Sequence, residues 1–177
     1  MKALLMIGGI IVVVLVVFVL VVVVIGYRLP QQHVASRSIR LNRPVTDIYA
    51  TVRDFGAYPK WRSDVQTVDL LDENGKVRFR EHGKHGNVTY EVDEDVPSKR
   101  LVTRIVDQNL GYSGSWTYEF IPSNNATVIT ITENGVVSNP IFRFMSRHIF
   151  GQTATIDAYL TNMAKHFGEL VEPRKSN

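Results

Sequence analysis

Residues 139–168, NPIFRFMSRHIFGQTATIDAYLTNMAKHFG, decide the fold that this sequence predicts. Asn139 offers a side-chain oxygen as a helix N-cap, and Pro140 stands at the first helical position, where its missing N–H costs nothing. Apolar residues then recur at steps of three and four, as on an amphipathic helix with one broad buried face. They are Ile141, Phe142, Met145, Ile149, Ile156, Tyr159, Leu160, Met163 and Phe167. We therefore expect one long helix that needs an apolar surface to cover it.

The residues upstream of this helix predict that surface, which is an antiparallel sheet. A first strand over 33–41 precedes a short helix behind Pro44 and a brief helical turn that ends at Trp61. Six further runs, at 65–71, 77–82, 86–95, 101–106, 111–121 and 126–135, are separated by turn signals such as Asn74-Gly75. Val88, Tyr90 and Val92 alternate with polar residues, as in a half-buried strand. The chain is predicted to be α+β, with a sheet of about seven strands around a long C-terminal helix.

The N-terminal residues predict a membrane span. No charged residue occurs from 3 to 27, and every side chain from 10 to 25 is apolar. About 20 apolar residues cross a bilayer as a helix. A cleaved signal peptide has an apolar region of only about 7 to 15 residues before its cleavage site. We expect a transmembrane anchor at 1–27, a linker at 28–32, a folded domain at 33–170 and a polar tail at 171–177.

Charge and composition narrow the function classes. The formal net charge of +3 is too small to indicate nucleic-acid binding, and the absence of cysteine excludes disulfides and thiolate chemistry. The excess of basic residues after the span favours a cytoplasmic domain over an exported one. However, a start of Met-Lys before an apolar run is also typical of exported anchors, so both topologies stay open. The basic residues in question are Lys2 before the span and Arg28, Arg37, Arg40 and Arg43 after it.

Three stretches resemble the START-like superfamily, also called SRPBCC, in its polyketide cyclase/dehydrase and lipid transport branch. They are RSIRLNRPVTDIYATVRDFGAYPKW at 37–61, GSWTYEFIP at 114–122 before the strand TVITI, and ENGVVSNPIFRFMSRHIFGQTATIDAYLTNMAKHFGE at 133–169. The resemblance spans about residues 34–168. It implies a helix-grip fold, in which a curved seven-stranded sheet holds the C-terminal helix and encloses an apolar pocket. These patterns identify a fold, not an activity.

Large apolar side chains on the predicted strands and helix are the candidates for lining such a pocket. They are Trp61, Tyr90, Trp116, Tyr118, Phe120, Phe144, Met145, Ile149, Tyr159 and Met163. Apolar walls with few polar groups are typical of sites for hydrophobic ligands, although a solid core has the same composition. Gly111 and Gly114 thin the side-chain layer beside Trp116, as glycine does where a strand kinks or is closely approached.

Few polar residues in the sequence are candidates for catalysis, ligand binding or metal binding. Arg104 and His148 are candidate polar groups of the pocket, with solvent-facing positions as the alternative. Arg143 and Arg147 lie four residues apart and share a helix face, where they suit a phosphate or carboxylate head or simply face solvent. The run 81–86, EHGKHG, contains His82 and His85 but lacks the three or four ligands of a zinc site. We therefore predict no metal, no cofactor and no assigned catalytic residue.

The function predicted from these observations is membrane-anchored binding or transfer of a lipid or other hydrophobic small molecule, without catalysis. One alternative is a cyclase/dehydrase-type enzyme in which Tyr90, Arg104 or His148 moves protons on a hydrophobic substrate. A second alternative is a non-catalytic interaction module beside the membrane. The predicted partners are a hydrophobic ligand and the bilayer, and not a nucleic acid.

Overall fold

An antiparallel sheet forms the centre of the fold in the computed structural model, which describes residues 2–73, 75–84 and 86–176. The strands are β1 (Gln32–Leu41), β2 (Val65–Glu73), β3 (Lys76–Gly83), β4 (Gly86–Val96), β5 (Arg100–Ile105), β6 (Tyr112–Ser123), β7 (Ala126–Val137) and β8 (Arg174–Lys175). Their order across the sheet is β2-β3-β4-β5-β6-β7-β1-β8. The predicted α+β architecture is confirmed. Asn74, in the predicted first hairpin turn, lies outside the described residues.

The helices lie at the two ends of the chain and after β1. They are α1 (Lys2–Arg28), α2 (Val45–Arg53), a 3₁₀ helix (Phe55–Lys60), α3 (Pro140–Met145), a π-helical turn (Ser146–Phe150) and α4 (Ala154–His166). Ile48 and Val52 bury one side of α2. The Asp54 carboxylate then accepts a hydrogen bond from the amide of Ala57 and caps the 3₁₀ helix.

The prediction of one continuous helix over 139–168 is wrong. Its start is confirmed, because the Asn139 side chain accepts hydrogen bonds from the amides of Ile141 (2.9 Å) and Phe142 (3.2 Å). The helix is interrupted at Gly151, whose φ of 81° is a conformation that favours glycine. Of the two helical pieces, α4 packs on the sheet, whereas α3 packs mainly against the end of α1. Apolar residues recur at steps of three and four on both sides of Gly151, so apolar periodicity alone does not reveal the break.

The C-terminal tail contains a short strand that the sequence does not predict. Within the predicted polar tail at 171–177, Arg174 and Lys175 pair with Ser38 and Arg37 as the edge strand β8. The sheet therefore has eight strands, one more than the sequence predicts.

The helix α1 is apolar and projects from the domain. The span Met6–Arg28 contains an 18-residue window with a mean hydropathy of 3.6, so this helix is long and apolar enough to cross a bilayer, a test that signal sequences also pass. Only its C-terminal end contacts the domain. At Gly26 an added Cβ would overlap the carbonyl oxygen of Pro140, so the small residue permits close packing of α1 on α3.

Of the four arginines that follow the predicted span, Arg28 is the last residue of α1 and the other three belong to the folded domain. Arg37 pairs with Asp157 on α4 at 2.9 Å, Arg40 donates to Asn42, and Arg43 lies over the ring of Phe167 at 5.6 Å. These side chains help to join β1 to the C-terminal segment. They do not form a separate basic flank.

A buried carboxylate joins three strands on the convex face of the sheet. The side chain of Glu91 is 1% exposed and accepts hydrogen bonds from Lys76 (2.8 Å), Arg78 (2.7 Å) and Arg104. The hydrogen bonds from Lys76 and Arg78 lower the pKa of Glu91 from 4.5 to about 2, against the opposing effect of desolvation. The ionised form of Glu91 is therefore favoured by folding.

We expect Glu91→Gln to weaken the fold at neutral pH and to flatten its acid sensitivity. Because the folded-state pKa lies below the unfolded value, the contribution of Glu91 is present above pH 4.5 and is lost as the pH falls toward 2. Thermal unfolding followed by circular dichroism between pH 7 and pH 2 measures this. Glu94→Gln, on a 44% exposed side chain, is the control. Parallel pH curves for wild type and Glu91→Gln would contradict the assignment.

Candidate functional site

The concave face of the sheet is filled at one end and partly open at the other. Leu41, Leu101 and Ile129 are completely buried at the filled end beneath the helices. At the other end six residues of the same face are only partly buried, and we call the space that they border the concave cleft. These residues are His33, Tyr90, Ile105, Tyr112, Trp116 and Glu133. The strand register supports one shared face, since Trp116 lies opposite Glu133 and Tyr90 lies opposite Ile105.

Two facing glycines make room at the open end of the concave cleft. Gly114 lies opposite Gly135, and a Cβ added at Gly135 would meet the imidazole of His33. The His33 ring therefore lies against bare backbone, with its Nε2 3.4 Å from Glu133 Oε1. The thin layer predicted beside Trp116 is thus a place where a side chain from β1 approaches the backbone of β7.

Glu133 is the acidic group on this wall of the concave cleft. Its side chain is 21% exposed, and its Oε2 accepts a hydrogen bond from the Thr155 hydroxyl of α4 at 3.5 Å. Burial raises the pKa of Glu133, while His33 and a hydrogen bond from Trp116 oppose that change. The Glu133 side chain faces the same side of the sheet as Trp116, which lies opposite it on β6.

A second group of charges lies inside the domain, beneath α4. Arg62, Glu81 and Asp64 form an ion-pair cluster, which we call the Arg62 cluster. Arg62 Nη1 is 2.6 Å from Glu81 Oε1, and Arg62 Nη2 is 2.6 Å from Asp64 Oδ2. The guanidinium also lies over the rings of Tyr58 (4.9 Å) and Tyr159 (5.1 Å). Aromatic faces and two carboxylates together hold a cation away from water.

Burial changes the pKa values of the charged groups in the Arg62 cluster. Desolvation raises the pKa of Glu81, and the attraction of Arg62 offsets only part of that change. Desolvation disfavours the charge on Arg62 as well, but Glu81 and Asp64 outweigh it and raise the Arg62 pKa. Tyr90, whose pKa is raised by burial, interacts electrostatically with both Glu81 and Glu133.

The structure places most predicted pocket residues within or against the core. Trp61, Tyr118, Phe120, Tyr159 and Met163 are buried in it, and Tyr90 and Trp116 pack against it. The rings are in contact, since Tyr159 lies 5.7 Å from Trp116 and 5.8 Å from Tyr118 between centroids. These aromatic residues form a continuous wall, and their contact with a ligand remains a prediction.

The other predicted residues lie elsewhere. Ile149 is 61% exposed, and His148, which stacks on Phe144 at 4.9 Å, is exposed too. Phe144 and Met145 are half-buried outside the core cluster, because their helix packs on α1 and not beneath the sheet.

Two polar predictions concern the sheet. Arg104 points to the convex face, where it binds Glu91 and Asp93, so it does not border the concave cleft. His82 contacts Asp69 at 2.8 Å, and His85 lies outside the described residues. The part of the chain that the structure describes holds no group of three or more metal-ligating side chains.

The sequence analysis missed Arg62 and Glu81. The alternation of β3 contained a signal, because Glu81 lies two residues after the inward-facing Phe79 and must share its face. Arg62 follows a Pro-containing turn and has no periodic pattern, so no comparable signal identifies it.

Two cavities open on the domain surface. One, of about 240 Å³, lies between α2, the 3₁₀ helix and α4, beside Trp61, whose indole N–H has no acceptor among the described residues. The other, of about 170 Å³, lies where α1 meets the domain, and we call it the junction pocket. It is lined by residues 29–34 together with Val137, Arg143, Ser146, Arg147 and Gln152.

Comparisons with known proteins support this fold. The sequence profile of a family described as polyketide cyclase / dehydrase and lipid transport matches residues 32–168. A START superfamily protein from Mycobacterium smegmatis has a TM-score of 0.60 at 14% identity, with 76% of this chain and 96% of that chain covered.

The Zhui aromatase/cyclase from a Streptomyces species has a TM-score of 0.62 at 14% identity, with 78% of this chain and 99% of that chain covered. A protein from Thermus thermophilus has a TM-score of 0.62 at 15% identity, with 75% and 95% covered. At these identities the likeness shows the fold alone. A comparison with curated protein sequences found no match.

Proposed function

Because this chain belongs to the polyketide cyclase/dehydrase and lipid transport family, we propose that it binds a lipid or other hydrophobic small molecule in the concave cleft, in a domain tethered to a membrane by α1. The observation that carries this proposal is the half-open concave face. Large aromatic side chains such as Tyr90 and Trp116 stay partly exposed there, although Leu41, Leu101 and Ile129 of the same face are completely buried. An apolar wall with a few inward polar groups suits a hydrophobic ligand.

The tether gives the binding domain a physical advantage. Transfer of an apolar ligand from a bilayer into water raises its free energy by about 0.8 kcal/mol for each CH₂ group exposed. A cleft held beside the bilayer shortens the path through water. The excess of lysine and arginine after the apolar helix supports a cytoplasmic position for the domain.

The test is to identify what the full-length protein retains when it is purified in a mild detergent from its own host. We expect native mass spectrometry to show one apolar molecule per chain, and solvent extraction to identify its class. The stripped protein should then move that molecule between two populations of vesicles. A chain that is empty and inactive in transfer would contradict the proposal and would favour an interaction module at the membrane.

A second candidate function is proton-transfer chemistry on the bound molecule. It is favoured by Glu81 and Glu133, which both interact electrostatically with Tyr90 and whose carboxyl pKa values are raised by burial. Carboxyl groups with raised pKa values are suited to donate and accept protons near neutral pH. Incubation of the retained molecule with the protein distinguishes the two functions, since cyclisation with dehydration changes its mass by one water and simple binding does not.

A further inference from the structure

The lining of the junction pocket has a net positive charge. Two of its lining residues, Arg143 and Arg147, carry positive charge, and no lining residue is acidic. Glu133 is not part of the lining, although its Oε1 lies 3.4 Å from the imidazole Nε2 of the lining residue His33. A pocket with two guanidinium groups and no lining carboxylate attracts an anion.

Arg143 is buried there without a counter-ion. Its residue is 5% exposed, its Nη1 donates to the Leu29 carbonyl at 2.9 Å, and its Nη2 donates to the Ser138 carbonyl at 3.2 Å. Its Nε has no acceptor, and no carboxylate pairs with it among the residues that the structure describes. A buried, incompletely bonded charge is costly, and an anion in the pocket would offset that cost.

The remaining lining residues fit a phosphate group. Arg147 lies one helical turn after Arg143, is exposed, and borders the same space. Gln31, Gln32 and Ser146 add neutral hydrogen-bonding groups to the lining. Guanidinium forks bind phosphate oxygens with paired, charge-assisted hydrogen bonds, and amides and hydroxyls complete such a shell.

The position of the pocket indicates where the phosphate comes from. The apolar helix α1 ends at Arg28, and the Arg143 guanidinium lies 5.8 Å from the centre of the Tyr27 ring. The neighbouring segment exposes Phe142 (49%) and Ile149 (61%) to the surroundings. Exposed apolar groups beside the end of an apolar helix suit the headgroup region of a bilayer, where lipid phosphates lie.

We propose that the junction pocket binds a phosphate group and that an anionic phospholipid headgroup supplies it. The bilayer source rests on the tether in the proposed function, whereas the phosphate chemistry rests on Arg143 and Arg147 alone. This site adjoins the concave cleft at His33, which borders both, whereas Arg143 and Arg147 lie outside the cleft. It would fix the rotation and depth of the domain on the membrane, and so the direction in which the cleft opens.

The experiment uses the full-length chain in nanodiscs that contain phosphatidylcholine and phosphatidylglycerol in equal amounts. Native mass spectrometry after release from the discs counts the lipids that each chain retains. We expect a preference of about tenfold or more for phosphatidylglycerol, the factor that one charge-assisted contact supplies. Arg143→Gln should abolish the preference. Arg147→Gln, which leaves the buried hydrogen bonds of Arg143 intact, should lower it about threefold or more.

A second arm separates the two sources of phosphate. The same chain in non-ionic detergent is heated with and without inorganic phosphate. If inorganic phosphate raises the Tm of the wild type but not that of Arg147→Gln, the pocket binds the free anion. If the wild type prefers phosphatidylglycerol but phosphate does not raise its Tm, the pocket binds the lipid headgroup. Either result supports a phosphate site.

Loss of both signals in the wild type would overturn the proposal. The control variant is Arg40→Gln, which changes an exposed arginine outside the pocket. The proposal would also be overturned if wild type, Arg147→Gln and Arg40→Gln showed the same preference for phosphatidylglycerol. Arg147→Gln should still retain the apolar molecule of the concave cleft, so failure of this site and failure of the proposed function give different spectra.

Discussion

Replacing Arg62 by leucine is expected to lower the free energy of unfolding by about 3–5 kcal/mol, the usual cost of breaking a buried ion pair from one side. The side chains of Arg62 and Glu81 are only 10% and 12% exposed, so the substitution leaves a carboxylate with little access to water. It also removes the cation that lies between the rings of Tyr58 and Tyr159. Urea unfolding at pH 7, followed by tryptophan fluorescence, measures the loss.

Two further variants make this result specific. Arg100→Leu breaks the contacts with Glu94 and Glu119, whose side chains are 44% and 48% exposed, and is expected to cost about 1 kcal/mol or less. The double variant Arg62→Leu/Glu81→Leu removes both buried charges and should recover about 1–3 kcal/mol of the loss. If Arg62→Leu costs no more than Arg100→Leu, the cluster does not hold the interior together.

Ile105→Trp is expected to reduce retention of the apolar ligand by about tenfold or more, equivalent to about 1.4 kcal/mol of binding free energy. Ile105 lies opposite Tyr90 on the concave face and is only partly buried, so a larger side chain can extend into the space that a ligand would occupy. The indole adds volume to the concave cleft without removing a charge or a hydrogen bond. Native mass spectrometry of the full-length protein measures occupancy.

The matched control is Ile121→Trp, which makes the same change on a 57% exposed side chain of β6 outside the core. It should leave occupancy within about twofold of the wild type. Unfolding curves for both variants separate loss of binding from loss of folding, because overpacking within the domain costs about 1–3 kcal/mol. Equal occupancy in wild type and Ile105→Trp would show that the ligand does not use the concave cleft.

Much of the fold follows from local sequence. The alternation of inward and outward side chains in the strands and the helix cap at Asn139 are set by residues that are close in sequence. The structure confirms both predictions. Composition alone identifies the long apolar helix, because its length and its lack of charge are properties of consecutive residues. The sequence predicts a close approach to the backbone at Gly114, because a glycine stands there within a strand. It does not predict that Gly135 faces Gly114 or that the His33 ring packs against Gly135.

The sequence by itself therefore determined most of the secondary structure, the antiparallel sheet and the face on which Tyr90 and Trp116 lie, but not the break in the C-terminal helix or the edge strand β8. Only the tertiary structure decided which part of that face is covered, because coverage depends on where the chain breaks at Gly151 and how far α4 then reaches. Tertiary structure also brought Arg62 to Glu81, and it buried Arg143 beside α1 with no carboxylate partner among the described residues. Periodicity reports the direction of a side chain relative to its own strand or helix, whereas burial and ion pairing depend on residues that lie far away along the chain.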